Sequence, residues 1–93
     1  MSGSRFRVVG EYVFWIDGLD FSVKGRVSQD LEPATKDLEY MWEISHYHKP
    51  SHGAADVYIP SRSRTASREE AEKLLLAYAE SLTTIGVKVN TAY

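Results

Sequence analysis

Apolar and polar residues alternate along the opening part of the chain with the period of two that is typical of a β-strand. The alternation runs through residues 6–16 and again through residues 19–28, and Asp17-Gly18 separates the two stretches. Asp-Gly is favoured in a two-residue type I′ turn, because both central residues of that turn need positive φ. The pattern therefore predicts a β-hairpin.

A two-residue turn also fixes the register of this hairpin. Glu11 then lies opposite Lys24, which is a favourable cross-strand charge pair. Two glycines face each other and leave a gap in the apolar face, which we expect Trp42 or Tyr78 to fill. The predicted pairs on that face are Ile16 with Leu19, Phe14 with Phe21, Tyr12 with Val23, Gly10 with Gly25, and Val8 with Val27.

The alternation returns after a polar connection that contains Pro33. Residues 38–48 predict a third strand, and residues 55–59 predict a short fourth strand that ends at Pro60. Residues 49–53 predict a turn between these strands, and residues 61–66 predict a loop after them.

A helix is predicted after Ser67. Ser67 and Glu70 have the spacing of a capping box, in which each side chain bonds the backbone N–H of the other residue. Gly86 is placed to end the helix in the left-handed conformation, and Val87–Val89 would add a short edge strand. The residues of the predicted apolar stripe are Ala71, Leu74, Leu75, Tyr78, Leu82 and Ile85.

These elements predict a single α+β domain over 1–93, with flexible ends at 1–4 and 90–93. An antiparallel sheet of four strands, or five with the edge strand, carries one long C-terminal helix on one face. One helix covers roughly one face of a sheet, so the other face must meet solvent, a second copy of the chain or a partner. The predicted core residues are Val8, Tyr12, Phe14, Phe21, Val23, Trp42, Ile44, Val57, Leu74, Leu75, Tyr78 and Leu82.

Composition narrows the class of protein. The chain has 93 residues, 43% hydrophobic and 26% charged, which is the composition of one ordinary globular domain. It contains no cysteine, which excludes a disulfide scaffold, a thiolate zinc site and a cysteine nucleophile, and which fits a reducing cytosol. No signal peptide or apolar run of membrane-spanning length is visible, so we expect a cytoplasmic protein without a membrane partner.

The uncovered face of the predicted sheet combines aromatic and basic residues. Tryptophan and tyrosine are frequent anchors of protein interfaces, so we expect a protein partner or self-association through this face. The alternative is nucleic acid, because bases stack on aromatic rings and phosphates bind lysine or arginine. The residues predicted on this face are Arg5, Arg7, Val9, Val13, Trp15, Lys24, Arg26, Met41, Tyr47 and Tyr58.

Charge is unevenly distributed although the net charge is only −2. Residues 29–45 carry five acidic residues against one lysine, and a basic stretch follows. Arg62, Arg64 and Arg68 are predicted to converge on the start of the helix, where free N–H groups favour an anion such as a phosphate or a carboxylate. The alternative is that these arginines pair with acidic residues of the first helical turns.

Three histidines suggest a third function, after protein binding and nucleic-acid binding, which is metal binding. His46 and His48 lie two apart on a predicted strand, so they project to one side, and His52 lies in the following turn. Imidazole is a common zinc ligand, so the three residues are candidates for a metal site. The alternative is that they border the core, because no zinc-binding motif accompanies them. We expect no cofactor.

Catalytic motifs are missing from the sequence. It has no Gly-x-Ser-x-Gly elbow, no phosphate-binding glycine loop and no dinucleotide fingerprint, so we expect a non-catalytic protein. The order of three strands and a helix resembles the second half of a double-stranded RNA-binding domain and some small sheet-type DNA-binding domains. That RNA-binding family opens its last helix with lysines that bind phosphates, whereas the matching turn here is Ser67-Arg68-Glu69-Glu70.

Overall fold

A computed structural model describes residues 5–93, so the predicted flexible segment 1–4 lies outside the described residues. The strands are β1 (Phe6–Phe14), β2 (Val23–Asp30), β3 (Tyr40–Ile44), β4 (His46–Tyr47), β5 (Arg64–Thr65) and β6 (Lys88–Val89), and the helix is α1 (Arg68–Ser81), with a short 3-10 helix at Lys36–Leu38. The main sheet is antiparallel in the order β1-β2-β3-β5, and β4 pairs with β6 in a second small sheet. The α+β architecture with one helix on a four-stranded sheet is confirmed.

The hairpin has a longer connection than the sequence predicts. β1 ends at Phe14 and β2 begins at Val23, and the turn between them closes through Leu19 N–H and Ile16 C=O at 3.0 Å. Within residues 5–93 only glycines have positive φ, so Asp17 does not adopt the type I′ conformation. From Gly10 to Phe14 the predicted register is wrong by two residues, so that Phe14 rather than Tyr12 faces Val23.

A β-bulge at Val9 changes the faces of the first half of β1. Val8 lies opposite Ser28, whereas Gly10 lies opposite Val27, so Val9 is the extra residue. Val9 therefore packs against the core and Val8 is exposed, the reverse of the prediction. Because Val8 and Val9 are adjacent and identical, the sequence pattern did not indicate which of them points to the core.

The core lies between α1 and the inner face of β2 and β3. Its buried residues are Val23, Val27, Trp42, Ile44, Ala71, Leu75, Tyr78 and Ala79, and Tyr12, Phe14, Leu74 and Leu82 pack against them. Phe21 is exposed and Val57 lies outside the cluster, so these two core predictions are wrong. The gap above Gly25 exists, but Leu75 and Phe14 fill it rather than Trp42 or Tyr78.

The fourth strand of the main sheet lies later in the chain than predicted. Residues 55–59 form only an isolated bridge, between Tyr58 and His48, whereas Arg64–Thr65 pairs with β3. The predicted third strand is also interrupted, because Ser45 separates β3 from β4. Its N–H donates to Lys24 C=O at 2.7 Å, and its C=O accepts from Asn90 N–H at 2.8 Å, so the chain leaves the main sheet there for the second one.

Helix α1 begins as predicted and ends early. Ser67 Oγ accepts the N–H of Glu70 at 3.1 Å, which confirms the N-cap. The helix ends at Ser81 and not at Gly86, because Thr83 turns the chain towards β4. The Thr83 hydroxyl donates to Lys49 C=O at 2.7 Å, and Thr83 N–H donates to His48 Nδ1 at 3.2 Å.

Candidate binding surface at the turn end of the hairpin

Arg26, on the uncovered face of the sheet, already has an acidic partner. Because Gly25 faces Leu75 of α1, its neighbours Lys24 and Arg26 point to the opposite face. There Arg26 Nε lies 3.0 Å from Glu43, and the hydrogen bond to Glu43 raises the pKa of the guanidinium. The charge that was predicted to attract a ligand at Arg26 is therefore used within the sheet.

The end of the chain covers the middle of this face. Arg26 also donates to Tyr93 C=O at 2.8 Å, and its guanidinium lies 4.2 Å from the centre of the Tyr93 ring. Asn90 Nδ2 donates to Ile44 C=O at 2.9 Å. Residues 90–93, which the sequence predicts as a flexible end, thus lie across β2 and β3.

The arginines of the predicted anion site do not converge on the helix start. Arg62 forms an ion pair with Glu70 in the first turns of α1. Arg64 turns to the uncovered face instead, where it lies 3.2 Å from Asp30 and 5.6 Å from the centre of the Phe6 ring. Arg68 is exposed on the first turn of α1. The three arginines belong to different parts of the chain, because Arg62 precedes β5, Arg64 lies in β5 and Arg68 lies in α1.

Two tyrosines that were predicted on the uncovered face belong to the other side of the sheet. The Tyr58 ring stacks on Tyr78 of α1 at 5.8 Å, and the Tyr47 ring meets Tyr78 edge-on at 6.4 Å. Tyr78 OH donates to Tyr58 C=O at 2.6 Å. These placements correct the prediction, which treated residues 38–48 as one strand and residues 55–59 as part of the same sheet.

The three histidines occupy different environments. His46 contacts Phe21 at a ring distance of 4.8 Å and bonds Ser45 Oγ at 2.8 Å, whereas His52 is exposed in the turn. His48 is only 2% exposed, and its Nδ1 lies 3.1–3.2 Å from atoms of Lys49 and Thr83. Across the described part of the chain, no group of three or more metal-ligating side chains has the arrangement to hold an ion.

Partial burial of His46 makes stability depend on pH. Burial lowers the pKa of His46 below its ordinary value of 6.5, so the unfolded chain takes up the proton more readily than the folded one. The contribution of neutral His46 to stability is therefore fully present above pH 6.5, and it is lost as the pH falls through the folded-state pKa of His46. We expect denaturant unfolding at pH 7.5 and pH 5.5 to show a smaller acid loss for His46→Phe than for the wild type. An equal loss in both proteins would contradict this assignment.

Trp15 lies beyond the end of β1 and beside the helix. The residue is 77% exposed, so the indole does not lie beneath Leu75 and Leu82. It borders an open cavity of about 650 Å³, which we call the Trp15 groove. The groove is lined by Val13, Phe14, Trp15, Ile16 and Asp17 on the hairpin and by Leu76, Ala79, Glu80 and Leu82 at the end of α1 and just after it.

The groove exists because α1 packs over β2, β3 and β5 and leaves the inner side of β1 partly open. Tyr12 and Glu72 tie β1 to the helix on the amino-terminal side of the groove. Tyr12 OH donates to the Glu72 carboxylate, and this hydrogen bond raises the pKa of Tyr12. The sequence pattern indicated Trp15 but not the groove, because the two walls of the groove come from residues some sixty positions apart.

Comparisons with known proteins add no assignment. No protein family model matches the sequence, and neither a curated protein nor a solved structure matches the chain. No helix within residues 5–93 has the length and apolar character to cross a membrane.

Proposed function

We propose that this domain is a non-catalytic module that binds a protein partner, and that Trp15 and the Trp15 groove form the centre of the contact. The observation behind the proposal is a tryptophan that is 77% exposed at the border of a concave, mostly apolar surface. Tryptophan is enriched among the residues that dominate binding energy, because it buries a large area at a small cost in conformational entropy.

The groove supports protein more than nucleic acid. Its lining contains two charged residues, Asp17 and Glu80, and both are acidic and would repel phosphates. Arg26, Arg62 and Arg64, which were predicted to bind nucleic acid, are paired with Glu43, Glu70 and Asp30. The favoured binding surface therefore moves from the face of the sheet to the end of the hairpin.

Selection from a phage-displayed random peptide library tests this proposal. The full chain is immobilised through its amino terminus and selected in parallel with Trp15→Ala and with Tyr58→Ala, which removes another exposed aromatic ring. We expect the wild type and Tyr58→Ala to enrich shared peptides. Individual peptides should bind Trp15→Ala roughly thirtyfold more weakly, the loss that removal of a central interface tryptophan produces.

Light scattering on the same proteins separates an external partner from self-association. A monomeric wild type supports the external partner. A wild-type dimer that becomes monomeric in Trp15→Ala would assign the groove to a second copy of the chain. Peptides that bind Trp15→Ala as tightly as the wild type, or a library that yields no enrichment, would contradict the proposed contact.

A further inference from the structure

The geometry points to the mode of binding, an inference that rests on the proposed function. We propose that the free edge of β1 at Glu11–Val13 accepts an extended segment of the partner as an additional antiparallel strand. The segment has an apolar residue that enters the Trp15 groove, with a basic residue two positions before it and another two positions after it. This is β-strand addition, in which backbone hydrogen bonds give affinity and side-chain pockets give specificity.

The hydrogen bonds of β2 determine which groups of β1 are free. Lys24 uses its backbone towards β3: its C=O accepts from Ser45 N–H at 2.7 Å, and its N–H donates to Ser45 Oγ at 2.8 Å. Val13, which lies opposite Lys24, therefore directs its own N–H and C=O away from β2. Alternation along the strand gives Glu11 the same orientation.

These outward groups form an unpaired edge. β1 is the first strand of the main sheet, and its second edge pairs with no strand in the described part of the chain. The bulge at Val9 interrupts this edge on one side, and Trp15 borders it on the other. The edge therefore accommodates a short segment and opens beside the Trp15 groove.

The alternation of side chains places the partner's residues. Incoming residues opposite Glu11 and Val13 direct their side chains to the uncovered face, as Glu11 and Val13 do. Incoming residues opposite Tyr12 and Phe14 direct their side chains to the helix side. A side chain opposite Phe14 then reaches the groove beside Leu76, which is why that position of the partner is apolar.

The charge of the groove determines which residues of the partner flank its apolar residue. On the helix side, Glu72 lies next to Tyr12, and Asp17 and Glu80 lie at the Trp15 end of the groove. Asp17 and Glu80 form no ion pair within residues 5–93. Carboxylates at both ends favour lysine or arginine in the partner. A second copy of the chain would bring these acidic residues close to those of the first, so the segment belongs to a different protein.

A synthetic probe provides the test. The blocked peptide lysine–threonine–phenylalanine–threonine–lysine–alanine, whose alanine lies opposite Glu11, is titrated into the full chain while the amide signals of Glu11 and Val13 and the indole signal of Trp15 are followed by NMR. In the proposed pairing the threonine N–H groups face β1 and the phenylalanine N–H faces away. We expect N-methylation of both threonines to abolish binding and N-methylation of the phenylalanine to leave it intact.

Two pairs of variants of this chain test the free edge of β1 and the charge of the groove. Val13→Pro removes an outward donor next to the groove, and Val8→Pro makes the same change on the same strand beyond the bulge. We expect Val13→Pro to weaken the probe roughly fivefold or more, the factor expected for one lost hydrogen bond, and Val8→Pro to retain affinity. Glu80→Lys should weaken the lysine probe and strengthen its glutamate analogue, whereas Glu32→Lys in the distant loop should do neither.

The outcomes separate this inference from the proposed function. Equal binding of the two N-methylated peptides, unchanged affinity in Val13→Pro, or no binding of the lysine probe overturns strand addition. If Trp15→Ala still weakens the selected peptides in that case, the proposed binding function remains and only its mode is wrong. A wild-type dimer that Val13→Pro dissociates also overturns the inference, because the edge would then pair with a second copy.

Discussion

Replacement of Gly25 by valine is expected to destabilise the domain by about 3 kcal/mol, the upper part of the range for overpacking a core. A Cβ at this position would lie 2.7 Å and 3.0 Å from the two methyl carbons of Leu75 and 3.1 Å from Phe14. Leu75 is fully buried, so its two methyl groups, which are the nearest atoms, have no free space to move into. Thermal unfolding followed by circular dichroism should show a midpoint about 12–24 °C lower than the wild type.

Gly53 provides the matched control for this substitution. A Cβ at Gly53 would meet no atom within 4 Å, and Gly53 lies in an exposed turn without positive φ. Gly53→Val should therefore change the midpoint little. Leu75→Ala should partly rescue Gly25→Val, because the space that Leu75 leaves receives the new side chain. Equal effects of the Gly25 and Gly53 substitutions would show that Leu75 does not close over Gly25.

Patterns that extend over many residues of the sequence were sufficient to predict the main elements. The alternation in residues 6–16 and 19–28, the N-cap at Ser67 and the apolar stripe of α1 each predicted an element that the structure contains. These features are local, and each extends over several residues, so one pattern is enough to identify each element. The α+β class followed from their order.

Short and ambiguous signals account for the errors. Asp17-Gly18 favours a type I′ turn, but a longer connection with positive φ at Gly18 alone also uses the dipeptide. β5 contains only Arg64 and Thr65, which is too short to show an alternation, whereas residues 55–59 alternate without joining the main sheet. Local pattern cannot report the tertiary contacts that decide between these segments.

The candidate site was predictable only in part. The exposure of Trp15 followed from its place outside the apolar stripe and outside the inner positions of the hairpin. The ion pairs of the arginines and the groove beside Leu76 depend on how α1 lies over the sheet, and the sequence does not specify that placement. The largest change was therefore in the location of the binding surface.

The two tryptophans give the sharpest contrast between stability and binding. Trp42 is 4% exposed, its ring lies tilted at 6.0 Å from that of Tyr78, and its Nε1 donates to Arg62 C=O at 3.1 Å. Trp42→Ala should destabilise the domain by about 3–5 kcal/mol, because it removes a large core side chain and leaves a cavity. A small domain of this size has a total stability of only about 5–15 kcal/mol, so this loss brings it close to unfolding.

Trp15→Ala is the matched control for Trp42→Ala, since both remove an indole. Trp15 is 77% exposed, so its loss should change the free energy of unfolding by less than about 0.5 kcal/mol while weakening the selected peptides. Urea denaturation followed by circular dichroism measures the first effect, and peptide titration measures the second. A large loss of stability in Trp15→Ala would mean that the indole supports the fold. Its effect on binding would then no longer identify a contact surface.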